Sequence, residues 1–122
     1  MARILIIDDD PDVRTVMNIV LKKQGHEVDA ASRQEEVFTK IRQFSPDIVL
    51  LDVLLSGADG RVICQQIKAG ESTRHIPVIM ISAHPGAADK IATYGADDFI
   101  SKPVNLAILL EKVASQLKQA HQ

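Results

Sequence analysis

Five short apolar runs alternate along the chain with longer amphipathic segments. The strongest runs are rich in Ile, Val and Leu without polar alternation, which is typical of parallel strands covered on both faces. The segments between them repeat apolar residues at the spacing of an α-helix. The predicted strands are residues 3–7, 27–31, 48–52, 76–81 and 97–101. The alternation predicts an α/β fold, a doubly wound five-stranded parallel sheet with helices on both faces and right-handed crossovers.

Capping residues mark the starts of the predicted helices. Asp10 precedes Pro11, and because proline favours the first position of a helix, Asp10 is the predicted N-cap. Ser32 and Glu35 match the S-x-x-E capping box and predict the start of the second helix. Asn105 is the predicted cap of the last helix. The first helix is expected to bury an apolar face formed by Val13, Val16, Met17, Val20 and Leu21.

Length and composition exclude several classes of function. At 122 residues the chain fits one domain, which we predict to span residues 1–122. Cys64 is the only cysteine, so neither an internal disulfide nor a cysteine metal cluster is expected. No apolar stretch approaches the ~20 residues of a membrane span, and the first residues lead directly into a strand instead of a signal peptide. We therefore expect a soluble, cytoplasmic domain that does not bind membrane. With 14 Lys and Arg against 16 Asp and Glu there is no basic footprint, so we do not expect the domain itself to bind nucleic acid.

Chemically active side chains follow four of the five predicted strands. Asp8 and Asp9 come directly after the first strand, Asp52 ends the third, Ser82 follows the fourth, and Lys102 follows the fifth. In the flavodoxin-like strand order 2-1-3-4-5, the second strand lies at an edge and the other four are adjacent. Because open parallel sheets place their chemistry at the carboxyl ends of the strands, one crevice is expected to collect these groups.

A crevice with three carboxylates favours a hard cation. Ionised carboxylates within a few ångströms repel one another, so either one of them takes up a proton or a cation neutralises the cluster. Oxygen ligands around a small site favour Mg²⁺, which keeps several waters. We expect Asp9 and Asp52 to be direct ligands, with Asp8 acting partly through water. The backbone carbonyl of Leu54 is the predicted third protein ligand.

The same crevice suits the transfer of a phosphoryl group. A carboxylate can act as a nucleophile that forms an aspartyl phosphate, and a metal would offset the charge repulsion with the incoming donor. Asp52, on the central strand, is the predicted nucleophile. Lys102 would supply a compact positive charge to the phosphoryl oxygens, and Ser82 would supply a hydroxyl donor.

The motifs around these residues resemble those of the receiver domain of two-component response regulators, over essentially the whole chain. The matching segments are IIDDDP at 6–11, Asp52, Asp59-Gly60, PVIMISA at 77–83, GADDF at 95–99 and Lys102-Pro103. The resemblance implies a CheY-like fold in which Asp52 accepts a phosphoryl group from a phosphohistidine, with Mg²⁺ as the required cofactor. The donor would be a sensor histidine kinase or a histidine phosphotransfer protein. Such a domain is regulatory and not an enzyme, and at most it catalyses its own phosphorylation and slow dephosphorylation.

The resemblance also implies a conformational switch. Ser82 would move to contact the phosphate and Phe99 would change rotamer, which couples the chemistry to the surface formed by the family's fourth helix, fifth strand and fifth helix. A downstream output domain or target protein would recognise that surface, and phosphorylated copies would form a homodimer. The Lys102-Pro103 peptide bond is expected to be cis, as it usually is in the family.

The chain departs from the family pattern in three places. Ser56 replaces a common proline after the acceptor, which is expected to loosen that loop. Leu54 replaces a frequent methionine, with little consequence if its contact to the metal is through the backbone. The stretch between the fourth and fifth strands is slightly shorter than in the family. The shortfall falls in the weakly patterned segment 85–94, which is expected to form a short or displaced helix closed by Gly95.

Two rival interpretations use some of the same residues. In haloacid-dehalogenase-like phosphatases the nucleophile lies in a D-x-D after the first strand, which Asp8 and Asp10 could provide, but Asp52 would then be unexplained. A pseudo-receiver would bind partners without phosphorylation, although it would need neither the acidic set nor Lys102. We interpret His84 as a residue at the rim of the crevice, with the alternative that it tunes how fast water reaches the aspartyl phosphate.

Overall fold

A five-stranded parallel sheet forms the centre of the molecule, and helices cover both of its faces. The structure is a computed structural model that describes residues 2–55, 57–84, 86 and 93–120. In chain order the elements are β1 (Arg3–Ile7), α1 (Pro11–Lys23), β2 (Glu27–Ala31), α2 (Gln34–Phe44), β3 (Ile48–Asp52), β4 (Leu54–Leu55), β5 (Ala58–Asp59), α3 (Gly60–Ala69), β6 (Val78–Ser82), β7 (Asp98–Ser101) and α4 (Leu106–Ala120). The strands of the main sheet follow the order β2-β1-β3-β6-β7, which confirms the predicted order. None of the helices in these ranges is long and apolar enough to cross a membrane.

A short antiparallel hairpin interrupts the alternation of strands and helices directly after β3. Its strands β4 and β5 pair Leu54 with Asp59 and Leu55 with Ala58. Gly57 lies in the turn with a φ of +72°, a left-handed conformation that glycine adopts without a steric penalty. Ser56 lies outside the described residues, so its effect on this loop stays a prediction. The hairpin leads from the end of β3 directly into α3.

Side chains of the central strands alternate between two apolar cores. Those facing α2 and α3 include Leu5, Ile7, Val49 and Leu51. Those facing α1 and α4 include Ile4, Ile6, Ile48 and Leu50. All eight are fully buried, and each such side chain stabilises the fold by about 1.5–3 kcal/mol relative to an exposed one. The sheet is therefore a rigid base for the groups at its strand ends.

The predicted N-caps of the first and last helices are confirmed. Asp10 Oδ1 accepts hydrogen bonds from the N–H groups of Asp12 and Val13, the second and third residues of α1, at 2.9 and 3.4 Å. Asn105 Oδ1 accepts the N–H of Ile108 at 3.1 Å at the start of α4. Because Asp10 serves as a cap, Asp8 and Asp9 are the acids of this loop left for the crevice.

The predicted capping box of the second helix is wrong. The helix α2 begins at Gln34, and its N-cap is Arg33, whose side chain makes no capping hydrogen bond. Ser32 therefore lies one position too early to cap the helix. Instead, the N–H and Oγ of Ser32 contact Glu36 Oε1 at 3.3 and 3.4 Å, so Glu36 takes the part predicted for Glu35.

The helical pattern also placed Val16 wrongly, on the buried face of α1. The helix buries Met17 and Leu21 against the sheet, whereas Val16 is 46% exposed. An α-helix turns by about 100° per residue, so Val16 lies beside the arc that faces the sheet and not on it. The outer face of α1 consequently carries apolar side chains, since Ile19 is 52% exposed as well.

The short helix predicted over residues 85–94 lies largely outside the described residues. Thr93 and Tyr94 form part of a 3₁₀ turn. Gly95 follows with a φ of +84°, the conformation expected of a glycine that closes a helical segment.

Candidate functional site

Three aspartates meet at the carboxyl edge of the main sheet. Asp8 follows β1 and Asp52 ends β3, and these neighbouring strands pair Ile7 with Leu51. Asp8 and Asp52 are 1% and 5% exposed, and Asp9 is half-buried. One carboxylate oxygen from each of the three aspartates lies within 4.8 Å of the other two. The structure thus brings the three acids of the sequence analysis into one crevice.

The ammonium of Lys102 contacts two of these carboxylates. Its Nζ lies 3.1 Å from Asp52 Oδ2 and 3.1 Å from Asp8 Oδ2. The backbone at Lys102 is tied to the sheet, because its N–H donates to the carbonyl of Ser82 at 2.9 Å. The Lys102-Pro103 peptide bond is cis, as predicted. One ammonium faces three carboxylates, so the fully ionised cluster would keep a net negative charge.

The carboxylate of Asp52 is costly to ionise in this environment. Burial raises the pKa of Asp52 to about 6, and the charge of Asp8 acts in the same direction. Hydrogen bonds from Lys102 and from the N–H of Leu54, the latter at 3.3 Å, oppose this rise in pKa without cancelling it. Burial alone would lower the pKa of Lys102, but the carboxylates of Asp52 and Asp8 outweigh it and raise that pKa. The lysine therefore stays a cation.

One buried oxygen of the cluster is suited to a metal. Asp8 Oδ1 accepts the N–H of Asp10 at 2.9 Å. Asp8 Oδ2 receives no hydrogen bond of suitable geometry from the described residues, although the Lys102 ammonium lies 3.1 Å away. The ammonium offsets part of the cost of burying this oxygen, and coordination of a hard cation would offset the rest. The oxygen donors of Asp8, Asp9 and Asp52 therefore fit Mg²⁺.

Ser82 and Phe99 lie on the strands next to the cluster. Ser82 ends β6, the neighbour of β3, and its buried Oγ accepts the N–H of His84 at 2.9 Å. Phe99 lies in β7, where it is half-buried and packs against the core below α2 and α3. His84 is exposed, and its Nδ1 accepts the N–H of Gly86 at 3.2 Å. The hydroxyl of Ser82 is therefore tied to its own loop, two residues further along the chain.

Sequence reasoning missed two residues that shape the crevice. Arg14 on α1 donates from Nη1 to the carbonyl of Asp8 at 2.7 Å. The sequence feature that could have pointed to Arg14 is a basic residue near the start of a helix, where acidic residues are usually preferred. Gly60 donates its N–H to the carbonyl of Val53 at 2.7 Å, and a Cβ on Gly60 would overlap the carbonyl oxygen of Asp52. The sequence feature that points to Gly60 is the Asp59-Gly60 pair. This pair predicts a turn, but it does not predict how closely Gly60 approaches the backbone of Asp52.

Comparison with known proteins decides the family. Residues 4–114, most of the chain, match the response regulator receiver domain. The chain belongs to the response regulator receiver family. The receiver is a regulatory domain of two-component signalling, and its predicted flavodoxin-like fold is confirmed.

Curated relatives of this receiver are longer proteins. It is 36% identical over 121 residues to the DNA-binding dual master transcriptional regulator RpaA of Synechocystis sp., which covers 98% of this chain and 50% of RpaA. It is 38% identical over 117 residues to the response regulator PleD of Caulobacter vibrioides, which covers 93% of this chain and 26% of PleD. The receiver thus spans half the length of RpaA and about a quarter of the length of PleD.

Solved structures of receivers superpose closely on this one. A putative response regulator from Chloroflexus aurantiacus matches with a TM-score of 0.89 at 34% identity, over 96% of this chain and 98% of that chain. The receiver domain of NtrX from Brucella abortus matches with a TM-score of 0.87 at 32% identity, over 94% of this chain and 98% of that chain. The sheet of this receiver therefore has the arrangement found in its relatives.

Without metal, the contribution of Asp52 to the free energy of unfolding of the receiver is expected to decrease as the pH rises from about 4 to about 6. The pKa of Asp52 is raised from its ordinary value of 3.8 to about 6 in the folded state. The stabilising effect of the protonated carboxyl is complete below the ordinary pKa and is lost as the pH rises through the folded pKa. A difference of about two pKa units corresponds to at most about 3 kcal/mol.

Urea unfolding of wild type and Asp52→Asn in chelator, across this pH range, measures the loss. The amide cannot ionise, so the variant should keep its stability toward neutral pH and unfold at a higher urea concentration than wild type. Asp29→Asn, in the middle of the edge strand β2, should show the same dependence of stability on pH as wild type. Identical pH profiles for wild type and Asp52→Asn would contradict the raised pKa of Asp52.

Proposed function

We propose that this receiver is a phosphoacceptor switch whose acceptor is Asp52. A sensor histidine kinase, or a histidine phosphotransfer protein, would donate the phosphoryl group from a phosphohistidine. The observation that carries the proposal is the environment of Asp52. Its carboxylate is buried beside those of Asp8 and Asp9, and the Lys102 ammonium lies 3.1 Å from its Oδ2. The family match supports the same role, since receivers belong to two-component response regulators.

Asp8, Asp9 and Asp52 would hold a Mg²⁺ ion, with the backbone carbonyl of Leu54 as a further ligand. When bound, the ion would supply positive charge that offsets the repulsion between the acidic cluster and a phosphoryl donor. Support comes from the three oxygen donors within 4.8 Å of one another and from the buried Asp8 Oδ2.

The residues of this chain suggest how the phosphoryl group is received. A carboxylate oxygen of Asp52 would form the new bond to phosphorus while the bond from phosphorus to the donor's imidazole nitrogen breaks. The leaving imidazole keeps the electron pair of that bond and takes up a proton. Lys102 is close enough to Asp52 to pair with the phosphoryl oxygens. The Ser82 oxygen accepts the N–H of His84, which leaves its own hydrogen for donation to a phosphoryl oxygen.

Phosphorylation would shift a pre-existing equilibrium between two conformations. Ser82 and Phe99 lie on the paired strands β6 and β7, so a movement of Ser82 toward the phosphate can be passed to Phe99. The strand β7 is tied to α4, because the Lys112 ammonium donates to the carbonyl of Phe99 at 2.6 Å. The surface that changes would comprise β7, α4 and the segment that precedes β7.

The partners follow from this role. An output domain or a target protein would recognise the changed surface, and phosphorylated copies would form a homodimer. We expect the receiver to work in the cytoplasm without contacting nucleic acid or membrane itself, because its 14 basic and 16 acidic side chains form no basic footprint. RpaA is a DNA-binding regulator, but the match covers only 50% of RpaA. The receiver would not be an enzyme beyond promoting its own phosphorylation and slow dephosphorylation.

The test is to locate the phosphoryl group on the wild-type protein. The protein is incubated with Mg²⁺ and acetyl phosphate, and its intact mass is followed with and without chelator. We expect the mass of one phosphoryl group in the presence of Mg²⁺ only, and borohydride reduction with peptide mapping should mark Asp52. Marking of Asp8 would favour the phosphatase-like alternative, and no mass gain would favour a pseudo-receiver.

Lys102→Ala is expected to slow phosphoryl acceptance from acetyl phosphate by about 100-fold to 1,000-fold, the usual loss when one positioned charge is removed from a transition state. The time course of the intact mass gives the rate. Lys40→Ala is the matched control, since its ammonium pairs with Asp29 at 3.2 Å away from the crevice, and it should keep the wild-type rate. A Lys102→Ala rate equal to that of the control would contradict a role for Lys102 in the transfer.

A further inference from the structure

The outer face of α1 carries charged and apolar side chains in a symmetric order. Asp12, Val16, Ile19 and Lys23 are spaced three or four residues apart, so they share one stripe of the helix. Val16 and Ile19 are 46% and 52% exposed, and the two charged residues are exposed as well. Within the described ranges, neither Asp12 nor Lys23 forms an ion pair.

This order is self-complementary. Around a point near the middle of α1, Val16 mirrors Ile19, and the acidic Asp12 mirrors the basic Lys23. A two-fold axis through that point would pack the α1 helices of two copies antiparallel. Val16 of each copy would face Ile19 of the other, and each Asp12 would face a Lys23. We propose that this stripe of α1 is the interface of a homodimer of the receiver.

A groove beside Val16 can receive a side chain of the second copy. It has a volume of about 290 Å³ between α1 and the loop after β7. Its apolar lining includes Val13, Val16, Met17, Val104 and Leu106. In the antiparallel arrangement Ile19 of the second copy lies next to Val16, so its exposed side chain can enter this groove. The stripe contributes four side chains from each copy, fewer than the roughly 20–30 residues a side of a standard stable interface, so association should be weak.

Sedimentation velocity from about 10 µM to about 1 mM protein tests the interface, since weak association falls in that range. The weight-average mass of the wild-type protein should rise with concentration toward that of a dimer. Ile19→Asp should keep the protein monomeric, because it places a charge in the apolar contact. Added salt should weaken the wild-type dimer by screening its ion pairs.

Charge reversal tests the two-fold arrangement. Asp12→Lys and Lys23→Asp each place like charges opposite one another at two symmetric points, so each should weaken the homodimer about tenfold. An equimolar mixture of the two variants restores both ion pairs between unlike chains, and it should associate as tightly as wild type. Thermal unfolding of each variant alone confirms that it is folded.

Three results would overturn the proposal. The wild-type protein could remain monomeric at the highest concentration. Ile19→Asp could leave the association intact, or mixing the two charge-reversed variants could fail to restore it. Association is measured on the unphosphorylated protein, so the outcome is independent of whether Asp52 accepts a phosphoryl group.

Discussion

Asp52→Asn is expected to abolish phosphoryl acceptance from acetyl phosphate and from a histidine kinase. The amide keeps the size of the carboxylate, but it is not an anionic nucleophile. Asp8 and Asp9 stay in place, each with an oxygen within 4.8 Å of the cluster, so any label that survives must lie on another residue. Intact mass after incubation with Mg²⁺ and acetyl phosphate should show the phosphoryl group on wild type and none on the variant.

Asp29→Asn is the matched control for this experiment. Asp29 also pairs with a lysine, Lys40, at 3.2 Å, but it does so on the edge strand β2, so its variant should accept the phosphoryl group at the wild-type rate. Urea unfolding shows whether Asp52→Asn is folded, and the metal-free variant should be the more stable protein at neutral pH. A full phosphoryl mass on Asp52→Asn would assign the nucleophile to another acid.

The crevice could be predicted because it is built at strand ends. Apolar runs that stop at Asp8 and Asp52 predict where β1 and β3 end, and parallel topology brings such ends to one edge of the sheet. The same rule predicts that Lys102, distant along the chain, lies beside them, and its Nζ lies 3.1 Å from both carboxylates. Sequence separation does not matter for this argument, since the register of the sheet places the ends together.

Features that depend on the exact phase of a helix could not be predicted in this way. Helical spacing predicts that α1 has a buried face, but the rotation of the helix against the sheet decides whether Val16 belongs to it. The capping prediction for Ser32 was wrong for a related reason. The helix α2 starts one residue later than predicted, which moves the Ser32 hydroxyl away from the capping position. Arg14 contacts Asp8 across the loop between β1 and α1, a contact that no periodic pattern records.

Gly60→Ala is expected to destabilise the fold by more than about 3 kcal/mol. Gly60 is the buried first residue of α3, directly after the hairpin. A Cβ there would overlap the carbonyl oxygen of Asp52 and lie 2.9 Å from the Cα of Val53. These neighbours are backbone atoms, so no change of side-chain rotamer relieves the overlap. Val53 is itself held to the sheet, since its N–H donates to the carbonyl of Ile81 at 2.9 Å.

Either the start of α3 or the end of β3 must therefore move, and the second of these carries the candidate acceptor. We expect Gly60→Ala to unfold at a lower urea concentration, and its folded fraction to accept the phosphoryl group more slowly, because a shift of about 1 Å can cost about 100-fold in rate. Gly86→Ala is the control. Among the residues that the structure describes, its Cβ would have no neighbour closer than 3.7 Å, and the stability of the variant should stay within about 0.5 kcal/mol of wild type. If Gly60→Ala matched this control in both measurements, the close approach of α3 would not be what holds Asp52 in position.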